Sequence, residues 1–354
     1  MTIIAWSGGI SGPSYPRTVS VTRSTANRQS ARHSAGRALL PALPVAAVAA
    51  VLLVPEYFGL ADLAPFAQLV AFRPVAAVGL VLLAALAVLI RRRWWPGALA
   101  VTAVAGMALG TVLPRAVAEP APPPGPSLTV LSFNVNHGRA DVNALAAAVR
   151  ANRPDLVVLP EAGQRFERRL DPLLAGLRYR SWATTRPDEQ DADGIVVLAS
   201  ARLGKVTATP LDLGTTRRFM QLTGGGLGGV AVVAVHPTAP TGPLSTWVAE
   251  LGTLRDWCGG DPGEQGPPHI VVGDVNATLD HTALRAATAG CTDAAADRGQ
   301  GLVATWPTAW PRWLGVQIDH VFTSGGPRAA DLSVLDLPGS DHRALFTRIV
   351  VPPG

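Results

Sequence analysis

The chain has 354 residues, enough for one large domain or two small ones, and a formal net charge of +5. The charge is uneven: residues 1–126 carry ten Arg against Glu56, Asp62 and Glu119, a net of 10 − 3 = +7, while residues 127–354 carry 20 basic and 22 acidic groups, a net of −2. That split excludes a nucleic-acid argument from overall basicity for everything past the first third, and 29 arginines beside the single Lys205 point to a GC-rich bacterial genome rather than to a mechanism.

Residues 1–37 are polar, with five Arg and no acid, and read as a disordered cytoplasmic arm. A secretory signal would set its apolar run nearer the start, followed by a cleavage site, so that reading is rejected. Composition then turns apolar over 38–113 in three runs, Ala38–Val54 (extendable to Leu60), Pro74–Ile90 and Pro96–Leu113, each about the minimum length for a membrane span. Three transmembrane helices are expected. Five Arg precede the first run, and Arg91-Arg92-Arg93 lies between the second and third beside Trp94 and Trp95. The positive-inside rule therefore puts the N-terminus and the triple-Arg loop in the cytoplasm and everything after Leu113 outside.

Residues 114–127 include Ala-Pro-Pro-Pro-Gly-Pro, a stiff, extended linker off the membrane. Beyond it, 128–354 reads as one domain. Strands are predicted over Leu128–Asn136, Asp155–Glu161, Gly194–Ser200, Val206–Leu211, Phe219–Thr223 and Val230–His236, then from His269, and over Ile318–Ser324, Leu332–Leu337 and Ala344–Val351. Helices are predicted over Asp141–Arg153, Arg165–Leu177, Ser245–Cys258 and Ala283–Ala289. Runs of adjacent strands with helices between them predict an α/β fold of two packed sheets with helices outside. The glycine run Gly224–Gly229 fits G-x-G-x-x-G, but it lies between two strands with no helix behind it and reads as a hairpin turn.

The chemistry collects where strands end. His269-Ile-Val-Val-Gly-Asp-Val-Asn276 runs apolar residues into Gly273, and Asp274 and Asn276, two apart, point the same way from a strand end. One is a carboxylate that binds metal or takes a proton; the other is an amide that grips an oxygen. The same pattern recurs at Ser132-Phe-Asn134-Val-Asn136, at Pro154 to Glu161, at Val235-His236-Pro237, at Ile318-Asp319-His320 and at Gly339-Ser340-Asp341-His342-Arg343. Taken singly each has a bland reading. Asp-x-Asn suits any turn, Asp341 or Asp193 a turn residue, His236 a structural histidine, and Asn134 a buried backbone partner.

In this order the six motifs resemble the endonuclease/exonuclease/phosphatase superfamily, the metal-dependent phosphoesterases that include pancreatic-type deoxyribonuclease, apurinic endonucleases, sphingomyelinases and inositol-polyphosphate phosphatases. The likeness covers about 128–351. It implies a four-layer α/β/β/α sandwich of two mixed sheets with outer helices, and a metal-dependent phosphoric ester hydrolase using Mg2+ or Mn2+. By position, Glu161 would bind the metal with Asn134 beside it, and Asp319 and Asp341 would complete the metal's surroundings. Asp274 would activate water, Asn276 would hold a phosphate oxygen, Asp341 would orient His342, and His342 and His236 would meet the phosphoryl charge. Asp319 would also support the water network, and His320 stands where the family often has an aromatic or Arg.

Three spans ahead of an outward phosphoesterase domain, with Thr305-Trp-Pro307 and Gly-Ser-Asp-His, further resemble the VanJ-type membrane proteins of actinobacteria linked to glycopeptide (teicoplanin) resistance. That likeness implies a phosphorylated envelope lipid as substrate, with undecaprenyl pyrophosphate one such lipid, and the bilayer as partner; no obligate protein partner is evident. The rivals are an extracytoplasmic nuclease, disfavoured by the −2 charge of 127–354, and an inactive membrane-anchored binding module. Trp306-Pro-Thr-Ala-Trp310-Pro-Arg-Trp313-Leu314 suits either a packed core loop or a membrane interface. Cys258 and Cys291 suit either a disulfide at the rim away from the site or two buried thiols.

Overall fold

The computed structural model describes residues 42–214, 219–259 and 268–352. The expected arm at 1–37 and the first residues of the expected first span lie outside the described residues.

One sheet is built from β1 (Ser127–Ser132), β2 (Leu156–Pro160), β3 (Tyr179–Ala183), β4 (Ile195–Ser200), β11 (Arg328–Leu335) and β12 (Ala344–Val350), in the order β11-β12-β1-β2-β4-β3. The other holds β5 (Val206–Leu211), β6 (Phe219–Gly224), β7 (Ala231–Val235), β8 (His269–Asp274), β9 (Thr292–Asp293) and β10 (Asp319–Ser324), in the order β5-β6-β7-β8-β10-β9. Both sheets are mixed: β1 and β2 run parallel, as do β7 and β8, and their other neighbours are antiparallel.

The two-residue period of the strands makes the layers. Val130, Leu156, Val158 and Val197 of the first sheet face Met220, Leu222, Val232, Ile270 and Val272 of the second in one buried core. The alternate residues Leu131, Val157, Leu159 and Val196 turn outward under α5 (Val142–Asn152) and α6 (Gln164–Leu174), meeting Leu145, Val149, Phe166 and Leu170. On the far side Val233, Val235, Val271 and Phe322 lie under α7 (Leu244–Gly252), α8 (Arg255–Cys258) and α9 (Thr282–Ala287), with Trp247 and Leu251 at the centre. Ends are set locally: Asp141 caps α5 by accepting from the Asn143 and Ala144 amides, and Arg153 closes it in the left-handed region. The glycine run is a hairpin turn between the antiparallel β6 and β7. Sequence reading missed the edge strand β3, the two-residue β9 and α10 (Ala294–Asp297), and it started β11 four residues late.

Two helical runs, Phe66–Ile90 and Arg92–Ala116, are long and apolar enough to cross a membrane. They contain α2 (Phe66–Leu69) with α3 (Arg73–Ile90), and α4 (Trp95–Val112). A third such run is not found among the described residues: of the expected first span they hold α1 (Ala42–Leu53), 12 residues and about 18 Å long, against a hydrocarbon core of about 30 Å. It stops where it does because Val54 precedes Pro55, which disfavours helical backbone at Val54, and the chain turns into Pro55–Phe58 instead. The three helices pack through small side chains, Ala49, Ala77, Ala84, Ala105 and Ala108, and leave Leu82, Leu86, Leu89 and Leu99 exposed.

The helices are docked on the sandwich at one end. Arg73 is buried and donates to Glu56 (2.7 and 2.8 Å), and its other Nη lies 3.3 Å from Asp280. Arg115 reaches the same Asp280 through both Nη atoms at 3.2 Å. The Pro-rich stretch is likewise seated against the domain, where Ala118 pairs with Arg298 and the Glu119 amide donates to Asp297 O. At the opposite end from the Asp274 terminus of β8, Cys258 and Cys291 form a disulfide closing a 33-residue separation.

Candidate active site

The parallel pairs β1/β2 and β7/β8 end at the same rim, and that places every candidate side chain. Past β1 the chain keeps its ladder to β2 through Phe133 N to Val158 O and Val135 N to Pro160 O, so Asn134 stays on the face between the sheets. Glu161 follows β2 directly, His236 follows β7, and Asp274 closes β8 opposite Asp319 of β10. Glu161 and Asn276 hold left-handed backbone (φ +58° and +50°), as do Asn136 and His137. Such conformations cost energy and persist where surrounding contacts over-determine them, as at a functional rim. Gly273 is needed by space: with φ +152°, a Cβ there would stand 2.0 Å from Val235 O on the neighbouring strand.

All eight expected side chains converge. Asn134 bridges the sheets with its amide nitrogen, donating to Glu161 Oε1 (3.0 Å) and Asp274 Oδ2 (2.9 Å). His236 Nε2 lies 3.7 Å from Glu161 and 3.8 Å from Asp274. Asp274 Oδ1 accepts from the Asn276 amide, and the Asn276 side chain is fixed by donating to Pro237 O. His342 Nε2 stands 3.7 Å from Asp274, and its Nδ1 is 2.8 Å from Asp319 Oδ2. Ser340 stitches this loop to the first strand, donating to Asn134 O and accepting from the His342 amide.

Three placements differ from the sequence reading. Asp341, expected to orient His342, accepts instead from Trp306 Nε1 (3.0 Å), and Asp319 is the residue that holds the imidazole. Asn134, expected beside a metal, presents its NH2 group to the carboxylates, because its oxygen is committed to the Asn136 amide. His320 points to the other face of β10, where it is buried between Asp293 (2.7 Å) and Ala277 O (3.0 Å), and serves the core. Sequence reading also missed His137, whose backbone amide and Nε2 both meet Glu161 Oε2 (2.8 and 3.2 Å). The adjacent Asn136-His137-Gly138 turn was its only signal.

Electrostatics divides the roles. Burial pushes the Asp274 carboxyl up, and nearby Asp319 adds to this, so that it titrates at about 7 although His342 opposes both. Burial pulls His342 down, but the carboxylates of Asp319 and Asp274 outweigh it and raise the imidazole to about 10. The site thus holds a buried carboxylate poised near neutrality beside an imidazolium. A hard divalent cation fits this donor set. The donor atoms of Glu161, His236 and Asp274 lie within 4.8 Å of one another, and Asp319 Oδ1 is buried with no partner; His342, as an imidazolium, stands beside this set and is not a ligand.

These groups open into a cleft of about 330 Å³. One side is the rim just described. The other is Ala67, Gln68, Ala71 and Phe72, from the run that leads into α3, which no sequence motif had signalled.

Comparison with known proteins agrees with this architecture. Among solved structures, a humanized zebrafish (D. rerio) TDP2 carrying 14 mutations is 17% identical, with a TM-score of 0.51 over 64% of this chain and 100% of that one. D. rerio TDP2 complexed with a single-strand DNA product is 16% identical, with a TM-score of 0.50 over 64% of this chain and 99% of that one. An endonuclease/exonuclease/phosphatase from Beutenbergia cavernae is 20% identical over 64% of this chain and 72% of that one, at a TM-score of 0.47. No curated protein matched the chain. The model of the Endonuclease/Exonuclease/phosphatase family matches residues 131–342, more than half of the chain and the whole span from Asn134 to His342. With its sandwich and its convergent acids and histidines, the chain belongs to the endonuclease/exonuclease/phosphatase family and is a phosphoester hydrolase.

Proposed function

We propose that the chain is a membrane-anchored, divalent-metal-dependent phosphoesterase that hydrolyses a phosphate ester or pyrophosphate of an envelope lipid, with its catalytic domain outside the cytoplasmic membrane. The observation that carries this reading is the place of the cleft: Asp274 and His342 open toward a wall that continues directly into α3, one of the two helices fit to cross a membrane. The exposed leucines on α3 and α4 support burial in a bilayer. Glu56, Arg73 and Arg115, which tie the helices to the sandwich, all sit at the helix ends away from Arg91-Arg92-Arg93. With the positive-inside rule, that arrangement supports a sandwich outside the membrane. The likeness to VanJ-type proteins adds glycopeptide resistance to the proposal.

Glu161 would hold the ion, magnesium or manganese, which would supply Lewis acidity and neutralise phosphate charge. Asp274, held by the Asn276 amide and the Asn134 side chain, takes a proton from the attacking water. His342, kept cationic and oriented by Asp319, faces the phosphoryl oxygens, with His236 on their other side. Asn276, oriented by Pro237, holds a phosphate oxygen.

The test uses the full chain in detergent with magnesium or manganese, assayed on duplex DNA, phospholipid and prenyl pyrophosphate. Cleavage of the lipid phosphates is expected, and Asp274→Ala and His342→Ala should each lower it by about a hundredfold or more without unfolding the protein. Efficient degradation of duplex DNA at physiological salt, with the lipids untouched, would make it a nuclease. Turnover of none of the three would favour the binding-module reading.

A further inference from the structure

The run Phe66–Phe72 is held to the sandwich by contacts that have nothing to do with crossing a membrane. Ala67 is fully buried among Trp247, Leu284 and other core residues of the second sheet's outer layer, and its carbonyl meets His281 Nε2 at 2.8 Å. Gln68 donates to Pro240 O (2.7 Å) from across the cleft. Asp62, just upstream, accepts from Thr282 (3.2 Å). Arg73 fixes the downstream end through Glu56 and Asp280. A segment needed only to connect two helices has no physical reason for this many long-range partners.

The face it turns to the cleft is apolar except for one group. Ala71 and Phe72 stand with Val316, Ile318 and Trp306 along the cleft, and Phe72 packs on Trp310 with ring centroids 6.0 Å apart. Gln68 Oε1 is buried there without a hydrogen-bond partner. The cleft therefore has two unlike halves: charged groups at Asp274, His342 and Glu161, and an apolar side beginning at Ala71. Phe72 immediately precedes α3, and Trp310 and Trp313 are 44% and 74% exposed beside it, as aromatic side chains at a bilayer surface would be.

We propose that Phe66–Phe72 is the second half of the substrate site, an apolar subsite around Ala71, Phe72 and Ile318 that takes the chain of a phosphorylated amphiphile while its phosphate reaches Asp274 and His342. Selectivity for a lipid is thus built by the anchor and not by the sandwich. The chain leaves the cleft past the Phe72–Trp310 pair, and Gln68 Oε1 accepts from a donor on the substrate. This deepens the lipid-phosphate reading and rests on it.

The experiment uses the full chain in detergent micelles. Ala71→Trp, which fills the apolar half, is compared with the parent on a long-chain prenyl pyrophosphate and on a short-chain one. The ratio of the two kcat/KM values, long over short, is expected to fall by about tenfold or more, the range that apolar subsite contacts command. An unchanged ratio overturns the subsite. A second readout does not depend on turnover. In Ala71→Cys the new thiol is the only free one, because Cys258 and Cys291 are bonded to each other. Its modification by a maleimide is expected to be slowed by the long-chain prenyl pyrophosphate and not by inorganic pyrophosphate. Equal rates with and without the lipid also overturn the proposal. Loss of lipid-phosphate cleavage in Asp274→Asn keeps the underlying reading separate: if that variant cleaves normally, the active-site assignment fails whatever Ala71 shows.

Discussion

Asp319 Oδ2 stands 2.8 Å from His342 Nδ1, whereas the Asp341 side chain is spent on Trp306. Removing Asp319 leaves the imidazole without its orienting partner and its charge without its nearest counter-ion. Asp319→Ala is expected to lower phosphoester cleavage by about a hundredfold or more. Asp341→Ala should cost clearly less, because its carboxylate acts on His342 only at a distance. Equal losses, by steady-state kinetics, would contradict the pairing. A second residue-scale prediction concerns His281, which Thr278 N and Ala67 O hold in a buried pocket. Burial keeps its pKa below the ordinary 6.5, the hydrogen bonds opposing it only in part. Its neutral form is therefore the folded form. The unfolded chain takes up a proton near pH 6.5 and the native chain does so only lower, so stability is full above that pH and falls as acid is added. The stability difference between the parent and His281→Asn should be largest above pH 7. It should shrink as pH drops below about 6.5, by no more than about 1.4 kcal/mol per pH unit. A constant difference across the range, in chemical denaturation, would show that His281 does not titrate on unfolding. Buried His320 contributes in the opposite sense, since Asp293 raises its pKa against the pull of burial, and that is why the single-site variant and not the parent curve is the informative measurement.

Among the elements, the contact between helices and sandwich depends most on Asp280. It is buried, and it faces Arg73 and Arg115 together at 3.2 to 3.3 Å. Buried ion pairs add little over an apolar packing of the same shape, but removing one partner strands charge. Asp280→Ala should therefore destabilise the docked assembly by about 3–5 kcal/mol. Amide exchange should speed up over Pro55–Phe72 while the β1/β2 and β7/β8 strands stay protected. Uniform loosening of the whole sandwich would contradict a local joint. The disulfide acts on a different element. It joins the end of α8 to the turn before β9 on the side away from the cleft, so it bears on stability and not on chemistry. Replacing both cysteines with Ser should cost about 3–4 kcal/mol, from the chain freedom regained over a 33-residue loop. Turnover under native conditions should be kept, as a thermal melt beside a rate assay would show.

For the whole molecule, the rim, the Ala71–Phe72 wall of the cleft and the helix ends tied to Asp280 share one side of the sandwich. Under the proposed function, a lipid phosphate would not need to leave the bilayer to be cut. A tethered site meets such a substrate at high effective concentration and needs little affinity of its own. This fits a domain whose charge from 127 onward is −2, with no basic tract. The orientation is testable: a phosphatase reporter fused after Gly354 is expected to be active, and a fluorescent protein that matures only in the cytosol to stay dark. The reverse pattern would place the sandwich in the cytoplasm. An even number of crossings ahead of the sandwich, with the N-terminus inside, would give that reverse pattern, so the path of the chain through α1 matters more than its 12 described residues suggest.

What the sequence determined by itself was whatever depends on neighbours along the chain. Apolar runs at Leu128 to Leu131 and at Ile270 to Val272 gave the strands, and the face of each side chain then followed from its parity. Strand ends gave the acids, amides and histidines, and all of Asn134, Glu161, His236, Asp274, Asn276, Asp319, Asp341 and His342 meet at one rim. Edge strand β3 was missed because no residue of Tyr179 to Ala183 is buried, Arg180 being exposed and the rest half-buried, and the stretch carries no apolar alternation to read. The tertiary structure alone decided which partner each group takes. His342 pairs with Asp319, 23 residues away, and not with adjacent Asp341, because the antiparallel register of β8 and β10 brings Asp319 beside Asp274, beneath the imidazole. Ala67 meets His281 across 214 residues, and through it a segment that the sequence leaves as a connection between two expected spans becomes a wall of the cleft. No local period encodes such a meeting. It exists only once both sheets have closed and the helices have docked on Asp280.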